Sequence, residues 1–295
     1  MEKGTVPFSN FSIKLAIILR KVQKGEIMNP IIIFGKEITI NPIAIQLGSI
    51  NIYWYGIIIA LSFLLAFFLL ERRTEKRKDS FGIKFDDIYD YSFGAIIFGF
   101  ICARIYYVLF KLDYYLKNPL EIFEIWNGGI AIYGGIIGAV LYGIYFCKKR
   151  KIKFFNLADL LVPYLALAQS MGRWGNFINR EAYGVETNLP WKMGIYIEEL
   201  QNYIYVHPTF LYESIITFSI FIILIKISKK RKFEGQIFYL YMILYGLGRA
   251  LIEGLRIDSL MMANFRISQV LSVIIVVLFS IIYYLQRNRR LKVSE

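Results

Sequence analysis

The chain is poor in the residues from which most catalytic and metal centres are built. It has one histidine, His207, and two cysteines, Cys102 and Cys147, which stand in apolar runs without a CxxC spacing. These three residues cannot supply a zinc site, and no disulfide framework or redox motif is indicated. The motifs GxxxxGK[ST], GxSxG and HExxH do not occur. We therefore expect no metal and no organic cofactor, and the common nucleotide and hydrolase chemistries are disfavoured.

Charge is also scarce. Charged residues make up 19% of the 295 residues and hydrophobic residues 57%, with a mean hydropathy of +0.49. Soluble domains are about 25% charged, so this chain has more apolar surface than one water-facing globule can hide. The net charge of +13 does not indicate nucleic-acid binding, because the basic residues form short runs between apolar stretches. The composition predicts an integral membrane protein.

Seven stretches approach the length of about 20 largely apolar residues that a membrane-spanning helix needs. They run roughly over 52–70, 89–110, 129–146, 156–171, 208–227, 236–253 and 267–285. Most of the basic residues that connect the stretches lie in the segments that follow the first, third, fifth and seventh stretch. Basic loops face the cytoplasm. The prediction is an all-α bundle of about seven transmembrane helices, with the N-terminus outside, the C-terminus inside and a small extracytoplasmic cap at about 172–206.

Ionisable residues within a span cost about 3 kcal/mol near its centre and are functional candidates by default. Here they gather, with one asparagine, near the predicted outer ends: Arg104, Arg173, Asn176, Glu181, His207, Glu213, Arg249, Glu253 and Arg256. Arginine binds phosphate through two parallel N–H groups and stays charged when buried. The pattern favours an anionic lipid head group as the ligand.

Several candidates have a structural alternative. Arg104 could snorkel towards the interface. Arg249, Glu253 and Arg256, spaced i, i+4 and i+7 on one helix face, could pair with one another. His207, just before a proline, could be a capping or interface residue.

Three further candidates are equally open. Glu213 is expected to pair with an arginine rather than to titrate. Tyr55 could belong to an interfacial aromatic belt. Gly134 and Gly135 could allow close helix packing or let the backbone approach a phosphate.

The segment 172–184, GRWGNFINREAYG, resembles the signature of bacterial prolipoprotein diacylglyceryl transferases. Four more groups of residues resemble the same family in the same order: 53–56, 127–135, 207–213 and 245–256. The resemblance covers the chain from about residue 28. It implies transfer of the diacylglyceryl group of phosphatidylglycerol to the lipobox cysteine of a prolipoprotein, with release of glycerol phosphate. The implied partners are phosphatidylglycerol, the prolipoprotein signal peptide and the lipid bilayer of the bacterial inner membrane.

The resemblance also implies roles for individual residues. Arg173 and Arg249 would stabilise the departing phosphate, with Glu253 and Glu181 orienting them. Further lipid contacts would come from Tyr55, Asn176 and Gly184, which match the family's pattern. The positions of the buried arginines and glycines suggest four more lipid contacts: Arg104, Arg256, Gly134 and Gly135. His207 and Glu213 are additional candidates without an assigned step.

One position departs from the family pattern. Many members carry histidine where this chain has Tyr133, between the paired glycines. The general base often proposed for the family is therefore absent. Two routes to the lipobox thiolate stay open: neighbouring arginines lower a thiol pKa, or Tyr133 relays the proton. Rival functions are a transporter of anionic lipids or metabolites and a purely structural membrane subunit, although a transporter should show polar residues through both leaflets.

Residues 1–27 are expected to be a non-native extension of a single transmembrane catalytic domain, 28–295. The resemblance begins only near Met28, and the preceding stretch is basic on the side assigned to the outside. Its apolar piece is too short to span a membrane. The alternative is an amphipathic arm on the membrane surface.

Overall fold

The structure is a computed structural model that describes residues 30–48, 50–76, 81–125, 128–197, 200–257, 259, 261–262 and 265–294. The predicted extension 1–27 lies outside the described residues. Two compact units can be distinguished, one formed by the described residues up to Leu69 and from Val162 onwards, the other by Leu70–Leu161.

Among the described residues, seven long helices occupy the seven predicted spans. They are α1 (Trp54–Lys76), α2 (Phe85–Phe110), α3 (Ile132–Arg150), α4 (Phe154–Ile178), α5 (Thr209–Ser228), α6 (Gln236–Glu253) and α7 (Ile267–Ser294). Five of them, all except α3 and α6, are long and apolar enough to cross a membrane. The chain thus has the helices of a multi-pass membrane protein. Basic residues at the end of α3, and Arg249 and Glu253 in α6, reduce the apolar character of these two helices, and seven spans stay a prediction.

Helix α4 is longer than predicted. The sequence pattern ended the fourth span at 171, whereas the helix continues to Ile178. Arg173 and Asn176 therefore lie on the helix itself, one turn apart, and only Glu181 lies beyond its end. The aromatic residues Trp174 and Phe177 explain the extension, because they pack with Phe210 of α5.

The prediction of an all-α fold is wrong in one respect, because small antiparallel sheets accompany the helices. The strands are β1 (Ile31–Ile33), β2 (Lys36–Ile38), β3 (Ile43–Leu47), β4 (Ile50–Tyr53), β5 (Met193–Ile197), β6 (Asn202–Val206), β7 (Met261–Met262) and β8 (Phe265–Arg266). The largest sheet has the order β2-β1-β5-β6, and β3–β4 and β7–β8 form hairpins. Isoleucine-rich segments favour strands. At the β1–β2 turn, Phe34 and Gly35 both have positive φ, as a two-residue hairpin turn of type I′ requires.

The four-stranded sheet shares a hydrophobic core with the ends of two helices. Ile31 of β1, Ile195 of β5 and Val206 of β6 are buried together with Phe177 of α4 and Phe210 of α5. The two phenylalanine rings stack with their centroids 4.7 Å apart. The sheet therefore packs against the 172–184 signature through Phe177.

In the second unit, α2 and α3 pack closely through glycines. A Cβ atom on Gly134 would lie 2.5 Å from the carbonyl oxygen of Cys102, and one on Gly138 would lie 2.6 Å from that of Phe98. These two glycines lie one turn apart on α3. Their contacts support the packing alternative, which is the small-residue motif of membrane helices.

Candidate functional site

The signature segment forms a linked set of polar side chains at the end of α4. Arg173 Nη1 donates to Asn176 Oδ1 at 3.3 Å, and Asn176 Nδ2 donates to Glu181 Oε1 at 2.8 Å. The Glu181 amide bonds the Asn176 carbonyl oxygen at 3.0 Å, which turns the chain back after the helix. Asn176 thus uses its amide as both donor and acceptor, and it holds Arg173 and Glu181 in one row.

Glu213 of α5 is the centre of a cluster of arginines. Its side chain is 6% exposed, and its carboxylate forms an ion pair with Arg173 of α4. It also accepts from Arg249 Nη1 at 2.9 Å and from Arg256 Nη1 at 3.4 Å. The prediction that Glu213 pairs with an arginine is confirmed, and it pairs with three. Burying an ion costs several kcal/mol unless partners compensate, and here each charge has an opposite charge within contact.

A second glutamate completes this ion cluster. Arg249 Nη2 lies 2.6 Å from Glu253 Oε2, one turn further along α6, and Glu253 is 2% exposed. Arg266 of β8 donates to the Glu253 carbonyl oxygen. The structural alternative that Arg249 pairs with Glu253 is confirmed.

The prediction that Arg256 continues the same helical face is wrong. Helix α6 ends at Glu253, and Gly254 begins a turn, because glycine is a poor helix former. Arg256 lies beyond this turn, where it forms a β-bridge with Gly184. It reaches Glu213 from there rather than from the helix.

Gly184, the last residue of the signature, is enclosed by two other chain segments. Its amide bonds the His207 carbonyl oxygen at 3.0 Å, and the Val185 amide bonds the Leu255 carbonyl oxygen at 2.8 Å. A Cβ atom on Gly184 would lie 2.7 Å from His207 Cβ and 3.0 Å from the Leu255 carbonyl oxygen. Only glycine fits here without displacing backbone, so Gly184 supports the site through packing.

Tyr55 lies against the signature helix. A Cβ atom on Gly175 would be 2.4 Å from Tyr55 Cδ2, so the absence of a side chain on Gly175 lets the tyrosine ring approach α4. Tyr55 is 37% exposed at the start of α1. The structure therefore brings together Tyr55 and the signature residues.

His207 belongs to a short chain of hydrogen bonds that the sequence did not reveal. Its Nδ1 lies 3.2 Å from the hydroxyl of Tyr212, which accepts from Trp191 Nε1 at 2.7 Å. The His207 backbone bonds both Gly184 and Val185. These contacts support the interpretation of His207 as an interface residue.

Two other features of this unit also had no sequence signal. Arg180 is 2% exposed and has positive φ, and its Nη2 donates to the Ile40 carbonyl oxygen at 3.0 Å. Burial lowers the pKa of its guanidinium. Ser170 and Ser214 bond each other between α4 and α5. Partners so distant in sequence cannot be read from the period of one helix.

The remaining predicted site residues lie in the second unit, and Arg104 among them is 7% exposed. Its guanidinium donates to four backbone carbonyl oxygens, those of Glu121 at 2.6 Å, Ile122 at 2.9 Å, Gly128 at 2.8 Å and Gly129 at 2.9 Å. Snorkelling to the interface is therefore the wrong interpretation. Arg104 holds the segment between α2 and α3 in place through these hydrogen bonds. It also borders a cavity of about 410 Å³. With four of its five N–H donors used, it has little left for a head group.

Tyr133 and the paired glycines begin α3 in the same unit. Tyr133 is 51% exposed, Gly134 is buried against α2, and a Cβ atom on Gly135 would meet only ordinary contacts at 3.7 Å. A phenol at the first turn of the helix is thus accessible, whereas Gly134 serves packing. Among the described residues, no group of three or more His, Cys, Asp or Glu is placed to hold a metal ion.

The cluster around Glu213 has the charge that a phosphate ligand needs. The ion pairs join three arginines to two glutamates, so these five residues carry one positive charge in excess. Arg173 and Arg249 each direct two of the five guanidinium N–H donors to described residues. The other donors can bind an anion with a single negative charge, which is the charge of a phosphodiester.

Comparison with known proteins gives a consistent result. The family model described as prolipoprotein diacylglyceryl transferase matches residues 42–285. The chain is similar to phosphatidylglycerol–prolipoprotein diacylglyceryl transferases of Bacillus velezensis (45% identity, 85% of this chain and 93% of the relative) and Listeria innocua (46%, 81% and 87%). A relative of the same name from Clostridioides difficile is 44% identical over 86% of this chain and 98% of its own length. The chain belongs to the prolipoprotein diacylglyceryl transferase family.

Proposed function

We propose that this protein transfers the diacylglyceryl group of phosphatidylglycerol to the cysteine thiol of a prolipoprotein lipobox, which is the first step of lipoprotein maturation. Family membership and the names of the relatives support this activity. The observation that carries it within the molecule is the ion cluster of the buried Glu213 and Glu253 carboxylates with Arg173, Arg249 and Arg256, which leaves one positive charge for a phosphodiester. Nothing in the site favours a transporter.

The reaction is an alkyl transfer. The lipobox thiolate attacks the glycerol carbon that bears the phosphate ester, a C–S bond forms, and the C–O bond breaks. Glycerol phosphate leaves with the electron pair of that bond, and the thiol proton passes to a base. Negative charge therefore grows on the departing phosphate oxygen, and preorganised N–H donors stabilise such charge.

The arrangement of Arg173 and Arg249 suits this task. Glu213 contacts both guanidinium groups, and Asn176 and Glu253 each fix one of them from another side. Arginines held in this way need little reorganisation when the leaving group departs. In this proposal Tyr55 and Asn176 contact the lipid, Glu181 orients Asn176, and Tyr133 relays the thiol proton.

The proposal includes a location. The enzyme spans the bacterial cytoplasmic membrane seven times, with its C-terminus in the cytoplasm and the signature on the outer side. The distribution of basic residues between the helices supports this orientation, and the five apolar helices support a multi-pass arrangement.

The decisive experiment uses the purified full chain, phosphatidylglycerol and a synthetic lipobox peptide. We expect the peptide to gain the mass of one diacylglyceryl unit and glycerol phosphate to appear in equal amount. A peptide with serine in place of the lipobox cysteine is the matched control and should stay unmodified. An unmodified cysteine peptide, with the protein folded and the lipid present, would contradict the proposed activity.

A further inference from the structure

Two buried serines join α4 and α5 by a reciprocal pair of hydrogen bonds. Ser170 Oγ donates to the carbonyl oxygen of Ser214 at 2.9 Å, and Ser214 Oγ donates to the carbonyl oxygen of Ser170 at 2.9 Å. The two hydroxyl oxygens are 3.1 Å apart. Ser170 is 5% exposed and Ser214 is 7% exposed. Each side chain thus crosses the helix interface to reach the backbone of the other helix.

Contacts of this kind fix how far one helix is shifted along the other. A serine side chain is short, so both backbones must lie close together and at one relative height for both bonds to form. Between helices in a membrane there is little hydrophobic driving force, because lipid tails are as apolar as the helix surface, so interhelical hydrogen bonds add to side-chain packing in setting that height. Shifting α4 by one residue would move Ser170 by about 1.5 Å along the axis and break both bonds.

The serine pair lies directly beside the ion cluster. Glu213 precedes Ser214 on α5, and Arg173 follows Ser170 by three residues, about one helical turn, on α4. The Arg173–Glu213 ion pair spans the same interface as the serines.

We propose that Ser170 and Ser214 are positioning residues, which set the register of α4 against α5 and so hold Arg173 at the Glu213 carboxylate. This inference rests on the proposed transferase activity, because it assigns the pair a role in the rate of that reaction. The serines touch neither substrate. They act through the guanidinium of Arg173, whose long side chain could adopt other geometries if the helices moved.

The test compares the single variants Ser170→Ala and Ser214→Ala and the double variant with wild type. The matched control is Ser62→Ala on α1, since Ser62 is 1% exposed and its hydroxyl bonds the Ile58 carbonyl oxygen of its own helix. Rates are measured with phosphatidylglycerol and the lipobox peptide, together with thermal stability in detergent. A misplacement of about 1 Å can cost about 10²-fold in rate.

We expect the double variant to lose on the order of 10-fold in kcat, with a smaller change in KM for the peptide. Each single variant keeps one of the two bonds and should lose less, and Ser62→Ala should keep the wild-type rate. In an Arg173→Lys background the double serine change should add almost nothing, because the group that the serines position is already altered.

The outcomes are distinguishable. An inactive wild-type protein would reject the proposed transferase activity. An active wild type with an equally active double variant would reject the positioning role alone. A loss that is the same in the Arg173→Lys background, or that follows the loss of thermal stability, would assign the serines to general stability and would also overturn the inference.

Discussion

Glu213 Oε1 accepts from Nη1 of both Arg249 and Arg256, at 2.9 and 3.4 Å, although one arginine lies on α6 and the other beyond its end. The first prediction follows from this contact. Glu213→Gln keeps the shape of the side chain and removes the charge that three arginines share. Leaving buried charge uncompensated costs about 3 to 5 kcal/mol. We expect a loss of transfer activity of about 10²-fold and a lower unfolding temperature. Asp90→Asn, which breaks the exposed Asp90–Arg150 pair, is the matched control and should change neither quantity; a fully active Glu213→Gln variant would contradict the central role of Glu213.

Arg173→Lys tests the guanidinium geometry. Arg173 contacts Glu213 with one terminal nitrogen and Asn176 with the other, and an ammonium group cannot reproduce this fork. Activity should fall about 10²-fold while the protein still inserts and folds. Arg150→Lys, at an exposed pair, should retain the wild-type rate. If Arg173→Ala kept most of the activity, the head-group role of this residue would be wrong.

Tyr133→Phe tests the proton relay. The change removes only the hydroxyl, and a relay through that group should cost on the order of 10²-fold in rate. Tyr145→Phe is the matched control, because Tyr145 lies on the same helix and is 58% exposed. The measurement is the rate as a function of pH. If wild type and Tyr133→Phe have equal pH–rate profiles, the relay is rejected and thiolate formation in the field of the arginines is favoured. A faster transfer rate in Tyr133→His would support this position as the base site.

Gly184→Ala tests the enclosed end of the signature. The new methyl group would lie 2.7 Å from His207 Cβ and 3.0 Å from a backbone oxygen, so the segment must move and Arg256 with it. Overpacking of this kind costs about 1 to 3 kcal/mol, and activity should fall more than stability. Gly56→Ala, where the structure describes nothing within 4 Å of the new atom, should be active. The readouts are initial rate and thermal unfolding, and a wild-type rate for Gly184→Ala would refute the packing role.

Cysteine labelling tests the orientation. Cys102 and Cys147 are free thiols without a proposed role, so Cys102→Ala and Cys147→Ala together should give an active background. In this background Lys149→Cys should react only from the cytoplasmic side and Asn188→Cys only from outside. Both positions are exposed. Labelling of residue 188 from the cytoplasm would overturn the proposed orientation.

Sequence patterns located the seven helices because the apolar pattern of each helix is contained in its own stretch of sequence. The bounds of α6 agree with the predicted span, and the i, i+4 spacing predicted the Arg249–Glu253 pair. Patterns failed where partners are distant. Arg104 bonds carbonyl groups of a loop 17 to 25 residues away, and no helical period contains that information. The strands before α1 were missed because a search for long apolar stretches passes over segments of three to five residues.

The pairing of β1 with β5 constrains the order in which the protein folds. Ile31 faces Ile195 in the sheet, and the four helices α1–α4 lie between them in the chain. During translation β1 is synthesised first, and it cannot pair with β5 until these four helices have been synthesised and inserted. At about 5 to 20 residues per second, that wait is on the order of ten seconds. The sheet is therefore a late step of biogenesis, and the core that it shares with Phe177 of the signature is complete only when it forms.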